Sequence, residues 1–227
     1  MISFKLPLAL AAALLCASAG ATTNLIDQTY GAGTGSFELG IFVPRGTGLS
    51  NFQSLLGGAT TLTGWQIGGV GVDWLATPAY AAADGLHAVD LGYFTAGAGS
   101  VSATLPTQVG STYALDFKAA AVPGLPAYTN TGTVSAGSLA GASFTVPFSA
   151  ANAFGAQVYV PESFNFVATS ASTVVTIAAA APGTGYGPVI DQVSVTLLSA
   201  VPEPATWALW MLGGGLLLAR TRAARQH

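Results

Sequence analysis

Between residues 22 and 200 the sequence alternates apolar and polar residues, and no run in it has helical periodicity. The clearest alternation covers residues 112–119, where Tyr113, Leu115 and Phe117 share one face while Asp116 and Lys118 share the other. A period of two residues is typical of a half-buried antiparallel strand. We therefore expect residues 112–119 to form a central strand of a β-sheet.

Further segments with strand character follow one another at short spacing, and turn residues separate them. Residues 22–39 indicate two short strands on either side of a glycine-rich turn. The other candidates are residues 62–67, 69–74, 83–91, 100–105, 163–168, 173–177 and 189–198. About a dozen such strands predict an all-β fold, an antiparallel jelly-roll sandwich. Residues 22–200 suffice for one domain with its own core.

The N-terminal residues 1–21 have the pattern of a secretory signal peptide. Lys5 precedes an apolar run, and small residues follow that run. Signal peptidase is therefore an expected partner, and the mature chain begins at Gly20 or Thr22. The alternative, lipidation at Cys16, is disfavoured because the bulky Leu15 stands directly before the cysteine.

The C-terminal segment combines a Pro-Glu-Pro motif, an apolar run and a basic tail. Val201 and the following Pro-Glu-Pro end any strand that arrives from upstream, because proline lacks the backbone donor. Residues 205–219 carry no charge, and as a helix they span roughly 22 Å against a bilayer core of about 30 Å. We predict a marginal membrane helix whose basic end stays in the cytoplasm. The basic residues are Arg220, Arg222 and Arg225.

Pro202, Glu203 and Pro204, with the short apolar helix and the arginine cluster behind them, resemble the PEP-CTERM sorting signal of Gram-negative bacteria. The resemblance covers residues 201–227. It implies recognition by an exosortase, a membrane-embedded protease that cuts near the Pro-Glu-Pro. The protein would then be exported, pass through an inner-membrane-anchored intermediate, and reach the outer surface or the medium. The alternative is an ordinary C-terminal membrane anchor.

A second resemblance extends over nearly all of residues 22–200. The blocks that carry it include Ser36-Phe37-Glu38, residues 83–85 and 110–117, and residues 187–195, and in this order they are similar to the choice-of-anchor C family. The resemblance implies a jelly roll related to the galactose-binding superfamily. The sequence departs from the family pattern before Ser36, where a glycine-rich insert makes the first strand uncertain.

Composition excludes several classes of function for residues 22–200. Eight acidic and two basic side chains give a net charge of −6, which argues against nucleic acid as a partner. The segment contains no cysteine and one histidine, His87, so thiol chemistry and a zinc site are not expected. Asp84 and Asp90 form a conceivable carboxylate pair, but turn and strand-edge positions explain both. We therefore predict a protein that is not an enzyme.

Two functional classes remain for the predicted sandwich. The first is a non-catalytic glycan-binding domain that ties the protein to exopolysaccharide or cell-wall glycan. Tyr128 and Tyr186, which proline and glycine flank, are its candidate sugar-stacking residues. The second is a structural envelope or biofilm matrix component without a specific ligand, and a glycan hydrolase is a weaker third alternative.

Asp191 is a candidate cation ligand because of the face on which it lies in the predicted strand of residues 189–198. Val193, Val195 and Leu197 define an odd-numbered apolar face, and Asp191 falls on it. A core-facing carboxylate needs a metal or hydrogen-bond donors. Jelly rolls similar to this one imply Glu38 as a second ligand of a structural calcium, although no cofactor is required. The alternative, backbone N–H groups bound to Asp191, stays open.

Overall fold

The computed structural model describes residues 23–94, 97–123, 130–147, 149–180 and 186–201. The described chain contains a short α-helix, α1 (Leu25–Tyr30), and a 3₁₀ turn at Gly48–Ser50. All its other regular elements are strands. They are β1 (Phe52–Leu56), β2 (Gln66–Gly69), β3 (Gly71–Ala76), β4 (His87–Asp90), β5 (Gly99–Pro106), β6 (Thr112–Ala120), β7 (Asn130–Ala136), β8 (Leu139–Val146), β9 (Val160–Val167), β10 (Ser172–Ala179) and β11 (Val189–Ser199).

The strands form two antiparallel sheets that pack face to face. The six-stranded sheet has the order β1-β3-β4-β11-β6-β9, and the five-stranded sheet has the order β2-β5-β10-β7-β8. Most neighbours in these sheets are distant in the sequence, so long connections cross between the two layers. This arrangement confirms the predicted all-β fold, an antiparallel jelly-roll sandwich.

Strand β6 lies inside the six-stranded sheet between β11 and β9, as its alternation predicts. Its apolar face points into the core between the sheets, where Phe117 is 2% exposed. The Phe117 ring lies 5.1 Å from that of Phe144 in the opposite sheet and 6.1 Å from that of Phe164 on β9. Tyr113 stacks on Phe166 at 5.4 Å. The Phe117–Phe144 contact connects the two sheets, and the other two contacts join β6 to its neighbour β9.

Both strands predicted within residues 22–39 are wrong, since residues 25–30 form helix α1 and residues 32–37 form turns. Asn24 caps this helix, and its side-chain Oδ1 accepts from the backbone N–H groups of Ile26 and Val195, each at 3.1 Å. The glycine-rich stretch then passes β11 so closely that a Cβ on Gly35 would lie 2.2 Å from the Val193 carbonyl oxygen. Capping and a backbone approach that only glycine permits override the strand pattern here.

Strands β1, β7 and β8 were not expected from the sequence, and the phase predicted for β11 is also wrong at its start. The pairing of β11 with β6 shifts just after Asp191, where Gln192 has a φ of 53°. Ile190 packs in the main core before this bulge and Val193 packs there after it. Asp191 therefore lies on the outer face of the six-stranded sheet, opposite Lys118.

The outer face of the six-stranded sheet carries a second hydrophobic cluster, which explains why every residue of β3 is buried. Its members come from β1, β3, β4, β6 and β11 and from the loops beside them. They are Phe52, Leu75, Tyr80, Ala88, Ala120, Val122 and Val189. Half of this sheet is thus covered on both sides.

No helix among the described residues is long and apolar enough to cross a bilayer. The predicted signal peptide and membrane helix, residues 1–21 and 205–219, lie outside the described residues.

Candidate functional site

A pocket of about 240 Å³ opens on the outer face of the six-stranded sheet, above β1, β3 and β4. Asp73 and Asp90, which are cross-strand partners on β3 and β4, lie at its base. The exposed side chains of Phe94, Phe154 and Tyr186 line it nearer the solvent. The pocket therefore combines buried acidic groups with an aromatic rim.

Aromatic rings line the pocket and contact one another. The Phe52 ring lies 5.4 Å from that of Phe94 and 6.4 Å from that of Tyr80, and the second pair is perpendicular. The Tyr80 ring lies 5.7 Å from that of Phe154 in an edge-to-face arrangement. Such edge-to-face packing holds each ring in a fixed orientation.

Arg45 is the cation nearest to these rings among the described residues. Its guanidinium carbon lies 4.9 Å from the centre of the Phe94 ring and 5.6 Å from the centre of the Phe52 ring. These are cation–π distances. The Arg45 backbone N–H donates to the Phe52 carbonyl at 2.9 Å, which fixes the start of its side chain beside the ring.

Asp73 is 5% exposed and accepts a 2.6 Å hydrogen bond from the Ser54 hydroxyl on β1. Burial raises the pKa of Asp73 to about 6. The Ser54 hydroxyl, the Phe94 backbone amide and the Arg45 charge all oppose this shift. The carboxyl therefore titrates close to neutral pH.

Asp90 is held by two backbone amides. Its Oδ1 accepts from Gly92 N at 2.7 Å and from Gly187 N at 2.8 Å. The two glycines approach so closely that a Cβ on Gly92 would lie 2.5 Å from Gly187 N. Burial raises the pKa of Asp90 well above its usual range, the two amides lower it, and the neighbouring charge of Asp73 raises it.

Tyr80 connects the pocket to the 3₁₀ turn. Its hydroxyl donates to the Leu49 carbonyl oxygen at 2.9 Å. Burial, followed by the charges of Asp90 and Asp73, raises the pKa of Tyr80 to about 12. The phenol therefore stays neutral and acts as a fixed part of the wall.

Of the two tyrosines predicted to stack on sugar, Tyr186 lines this pocket, and its side chain is 40% exposed. Tyr128 lies outside the described residues, as do Pro202, Glu203, Pro204, Arg220, Arg222 and Arg225. Val201 is described, and its carbonyl oxygen accepts from the Gln108 side-chain amide at 3.1 Å. The start of the predicted sorting motif is thus hydrogen-bonded to the sandwich.

Glu38 and Asp191 hold the two ends of one loop before β4. Asp191 Oδ2 accepts from the backbone N–H groups of Ala83 and Asp84 at 2.7 and 2.9 Å. Glu38 Oε1 accepts from Leu86 N at 2.7 Å and from the next backbone N–H at 2.8 Å.

This geometry fits the hydrogen-bond alternative for Asp191, since its Oδ1 also accepts from the Gln192 N–H at 2.6 Å. Burial raises the pKa of Asp191 to about 7 against these donors. The described residues include no group of three or more His, Cys, Asp or Glu side chains placed to hold a metal. The calcium site at Glu38 and Asp191 stays a prediction.

The sequence did not reveal the acidic pair of the pocket. It singled out Asp84 with Asp90, whereas Asp84 accepts a 2.6 Å hydrogen bond from the Ser36 hydroxyl away from the pocket. The sequence indicates only which face of the strand Asp73 lies on. Asp73 alternates with Val72 and Trp74, whose side chains pack in the core, so its own side chain lies on the opposite face. The pairing of β3 with β4 is not visible in the sequence.

A second depression, of about 380 Å³, lies over β6, β9 and β11. Its lining is polar, with Asp116, Lys118, Glu162 and Ser194 among its residues. Phe117 is the aromatic residue in this lining and is buried. This depression provides sites for control substitutions away from the aromatic pocket.

The sequence profile of the family described as "Protein of unknown function (DUF642)" matches residues 33–196. The chain belongs to this family. The profile of the PEP-CTERM protein-sorting motif matches residues 200–226, which confirms the sorting signal predicted from Pro202-Glu203-Pro204. This motif indicates a secreted protein. The finer resemblance of the DUF642 domain to the choice-of-anchor C family stays a prediction.

The search of curated proteins found no match to this DUF642 chain. Among solved structures, it is similar to the CBM22-1 xylan-binding domain of Xyn10C from Paenibacillus barcinonensis, with 16% identity, 70% of this chain and 99% of that chain covered, and a TM-score of 0.45. It is also similar to a family 35 carbohydrate-binding module from Clostridium thermocellum. The sequence identity is 15%, the match covers 66% of this chain and 98% of that module, and the TM-score is 0.40. An exo-β-1,3-galactanase from Phanerochaete chrysosporium matches with 19% identity and a TM-score of 0.38. This match covers 58% of this chain and 27% of the galactanase chain.

Proposed function

We propose that this DUF642 domain is a non-catalytic carbohydrate-binding domain of an exosortase-processed surface protein. The observation that carries the proposal is the pocket in which exposed aromatic rings surround two buried aspartates. The sugar would come from exopolysaccharide or cell-wall glycan outside the cell. The PEP-CTERM motif supports that location, because it is a sorting signal of secreted proteins.

The chemistry of the pocket suits a sugar ring. The C–H faces of a sugar are apolar and stack on aromatic rings, and Phe94, Phe154 and Tyr186 expose their rings at the pocket rim. Carboxyl oxygens accept hydrogen bonds from hydroxyl groups, and Asp73 and Asp90 supply such oxygens at the base. Pockets for drug-sized ligands enclose about 300–1,000 Å³, so this smaller one suits a single sugar unit.

The pairing of Asp73 with Asp90 favours a second candidate, glycan hydrolysis. Directly opposed residues on antiparallel strands have Cβ atoms about 4.5–5.5 Å apart, and retaining glycosidases hold two carboxyl groups at about 5–5.5 Å. Against this alternative, Asp90 Oδ1 is engaged by two backbone amides and both aspartates are at most 5% exposed. A binding role uses both groups as hydrogen-bond acceptors without a proton transfer.

Affinity chromatography tests the proposal. The full chain in detergent micelles is passed over immobilised exopolysaccharide of an exosortase-bearing host, together with the Phe94→Ala and Lys118→Ala variants. We expect retention of the wild type and of Lys118→Ala, and early elution of Phe94→Ala because an exposed stacking ring is lost. Equal elution of all three proteins in the void volume would refute glycan binding. Release of reducing ends by the wild type but not by Asp73→Asn would establish the hydrolase instead.

A further inference from the structure

We propose that the sugar bound in this pocket carries an ammonium group, as in the glucosamine units of a deacetylated amino-sugar polymer. The inference rests on the proposed glycan-binding function and names the class of sugar. It follows from three features of the pocket: its pair of carboxyl groups, its rings and its acceptor atoms.

The pocket holds two carboxyl groups beside one cation. Asp73 and Asp90 both line it, and among the described residues Arg45 is the cation beside it. Two buried carboxyl groups on directly opposed residues repel each other when both are ionised. A ligand that brings one positive charge would relieve this repulsion, whereas a uronic acid would increase it.

The rings of the pocket are suited to a cation. The face of an aromatic ring is electrostatically negative and attracts ammonium and guanidinium groups, and clusters of such rings bind ammonium ligands. The Arg45 guanidinium lies over the Phe52 and Phe94 rings at 5.6 and 4.9 Å, so these two rings already contact one cation of the protein. Phe154 and Tyr186 continue the aromatic lining beyond that position.

The acceptor atoms match the donors of an ammonium group. Asp90 Oδ1 accepts from two backbone amides, and Asp73 accepts from the Ser54 hydroxyl and from the Phe94 backbone amide. The base of the pocket is thus rich in acceptors. An ammonium group is donor-only with three N–H bonds, whereas a sugar hydroxyl supplies one O–H donor and no charge. The ammonium group fits this base better than a hydroxyl does.

Isothermal titration calorimetry of the full chain in detergent micelles tests the inference. The probes are β-1,4-linked trimers of glucosamine, of N-acetylglucosamine and of glucose, at pH 6.5 and physiological salt. We expect the glucosamine trimer to bind about thirtyfold more tightly than the other two, since a desolvated cation–π contact contributes about 2 kcal/mol and about 1.4 kcal/mol corresponds to a factor of ten. Asp73→Asn and Asp90→Asn should each abolish this preference, because asparagine keeps the shape and removes the charge.

Asp116→Asn is the matched control, since this acid lies on the same sheet away from the pocket, and it should keep the preference. Phe94→Ala, at an exposed ring, covers the case in which an aspartate variant does not fold. Equal affinity for all three trimers would overturn the ammonium inference and leave glycan binding intact. Absence of any binding, together with void-volume elution from the polysaccharide column, would overturn both. If Asp73→Asn and Asp90→Asn both still prefer the glucosamine trimer, the preference comes from the acidic surface of the protein, and the inference is overturned.

Discussion

Individual aspartates account for much of the chemistry of this molecule. Asp73, Asp90 and Asp191 all lie on the outer face of the six-stranded sheet, and all are at most 5% exposed. Backbone amides bind Asp90 and Asp191, and the Ser54 hydroxyl and the Phe94 backbone amide bind Asp73. The sequence identified Asp191 as a residue that needs partners, but it could not show that its partners are the N–H groups of a distant loop.

The buried aspartates predict that acid stabilises the sandwich. The pKa of Asp73 is raised to about 6 and that of Asp191 to about 7, and the pKa of Asp90 is also raised. The folded state therefore binds protons more tightly than the unfolded state, so the free energy of unfolding should fall as pH rises from about 4 to 7. Asp73 alone accounts for about 3 kcal/mol of this fall, because each pKa unit above its ordinary value corresponds to about 1.36 kcal/mol.

Urea unfolding at pH 4.5 and pH 7.5 measures this difference in the full chain and in Asp73→Asn. The variant should lose part of the pH dependence, because its amide does not titrate. Stability that is constant or rises between the two pH values would contradict the assigned burial of these carboxyl groups.

The two alternatives for Glu38 and Asp191, a structural calcium or backbone hydrogen bonds alone, can be separated by a direct test. A ligand that binds only the folded state stabilises it by roughly 2.7 kcal/mol at one hundred times its dissociation constant. Because backbone N–H groups already occupy these carboxylates, we expect the thermal midpoint to be the same in calcium and in chelator. A midpoint that falls on chelation in the wild type, but not in Asp191→Asn, would establish the calcium site.

At the scale of elements, the sequence predicted strands where side-chain alternation alone fixes the structure. Strands β5, β6, β9 and β10 agree with their patterns, and β11 agrees after its bulge. The failures have local physical causes. Helix α1 depends on the Asn24 cap, and the bulge in β11 depends on the positive φ of Gln192, which reverses the phase of every residue before it.

The register of β6 makes a sharp prediction about two adjacent residues. Phe117→Ala should lower the free energy of unfolding by about 3–5 kcal/mol, because an aromatic ring leaves the packed core. Lys118→Ala should cost well under about 1 kcal/mol, since its side chain lies on the outer face and is partly exposed. Equilibrium denaturation measures both changes, and equal effects would show that the register is wrong.

At the scale of the whole molecule, composition and strand spacing predicted the jelly-roll sandwich, but not the position of its pocket. The pocket requires the consecutive strands β3 and β4 to pair and a loop near Tyr186 to approach β4. The second contact joins Gly187 to Asp90, which are 97 residues apart in the sequence. Tyr186 was identified from its Pro and Gly neighbours, yet its partners Phe52, Phe94 and Phe154 were not. Long-range pairing is the part of the site that local patterns do not contain.

Processing is the second property that belongs to the whole molecule. Because the sorting motif covers residues 200–226, we expect an exosortase to remove the C-terminal segment in a host that has the enzyme. Mass spectrometry of the surface-exposed protein should then find no peptide from residues 207–219. Recovery of these residues in the surface pool, attached to the sandwich, would support a permanent anchor instead.

The most direct test of the proposed site is an NMR titration with short fragments of the host exopolysaccharide. In ¹⁵N-labelled chain, the amide resonances of Gly92 and Gly187 report on the base of the pocket, because both donate to Asp90. We predict saturable shifts at these two amides and at Phe94, with none at Ser194 in the polar depression. Saturable shifts at Ser194 with unchanged Gly92 and Gly187 would contradict the assignment of the pocket as the glycan site.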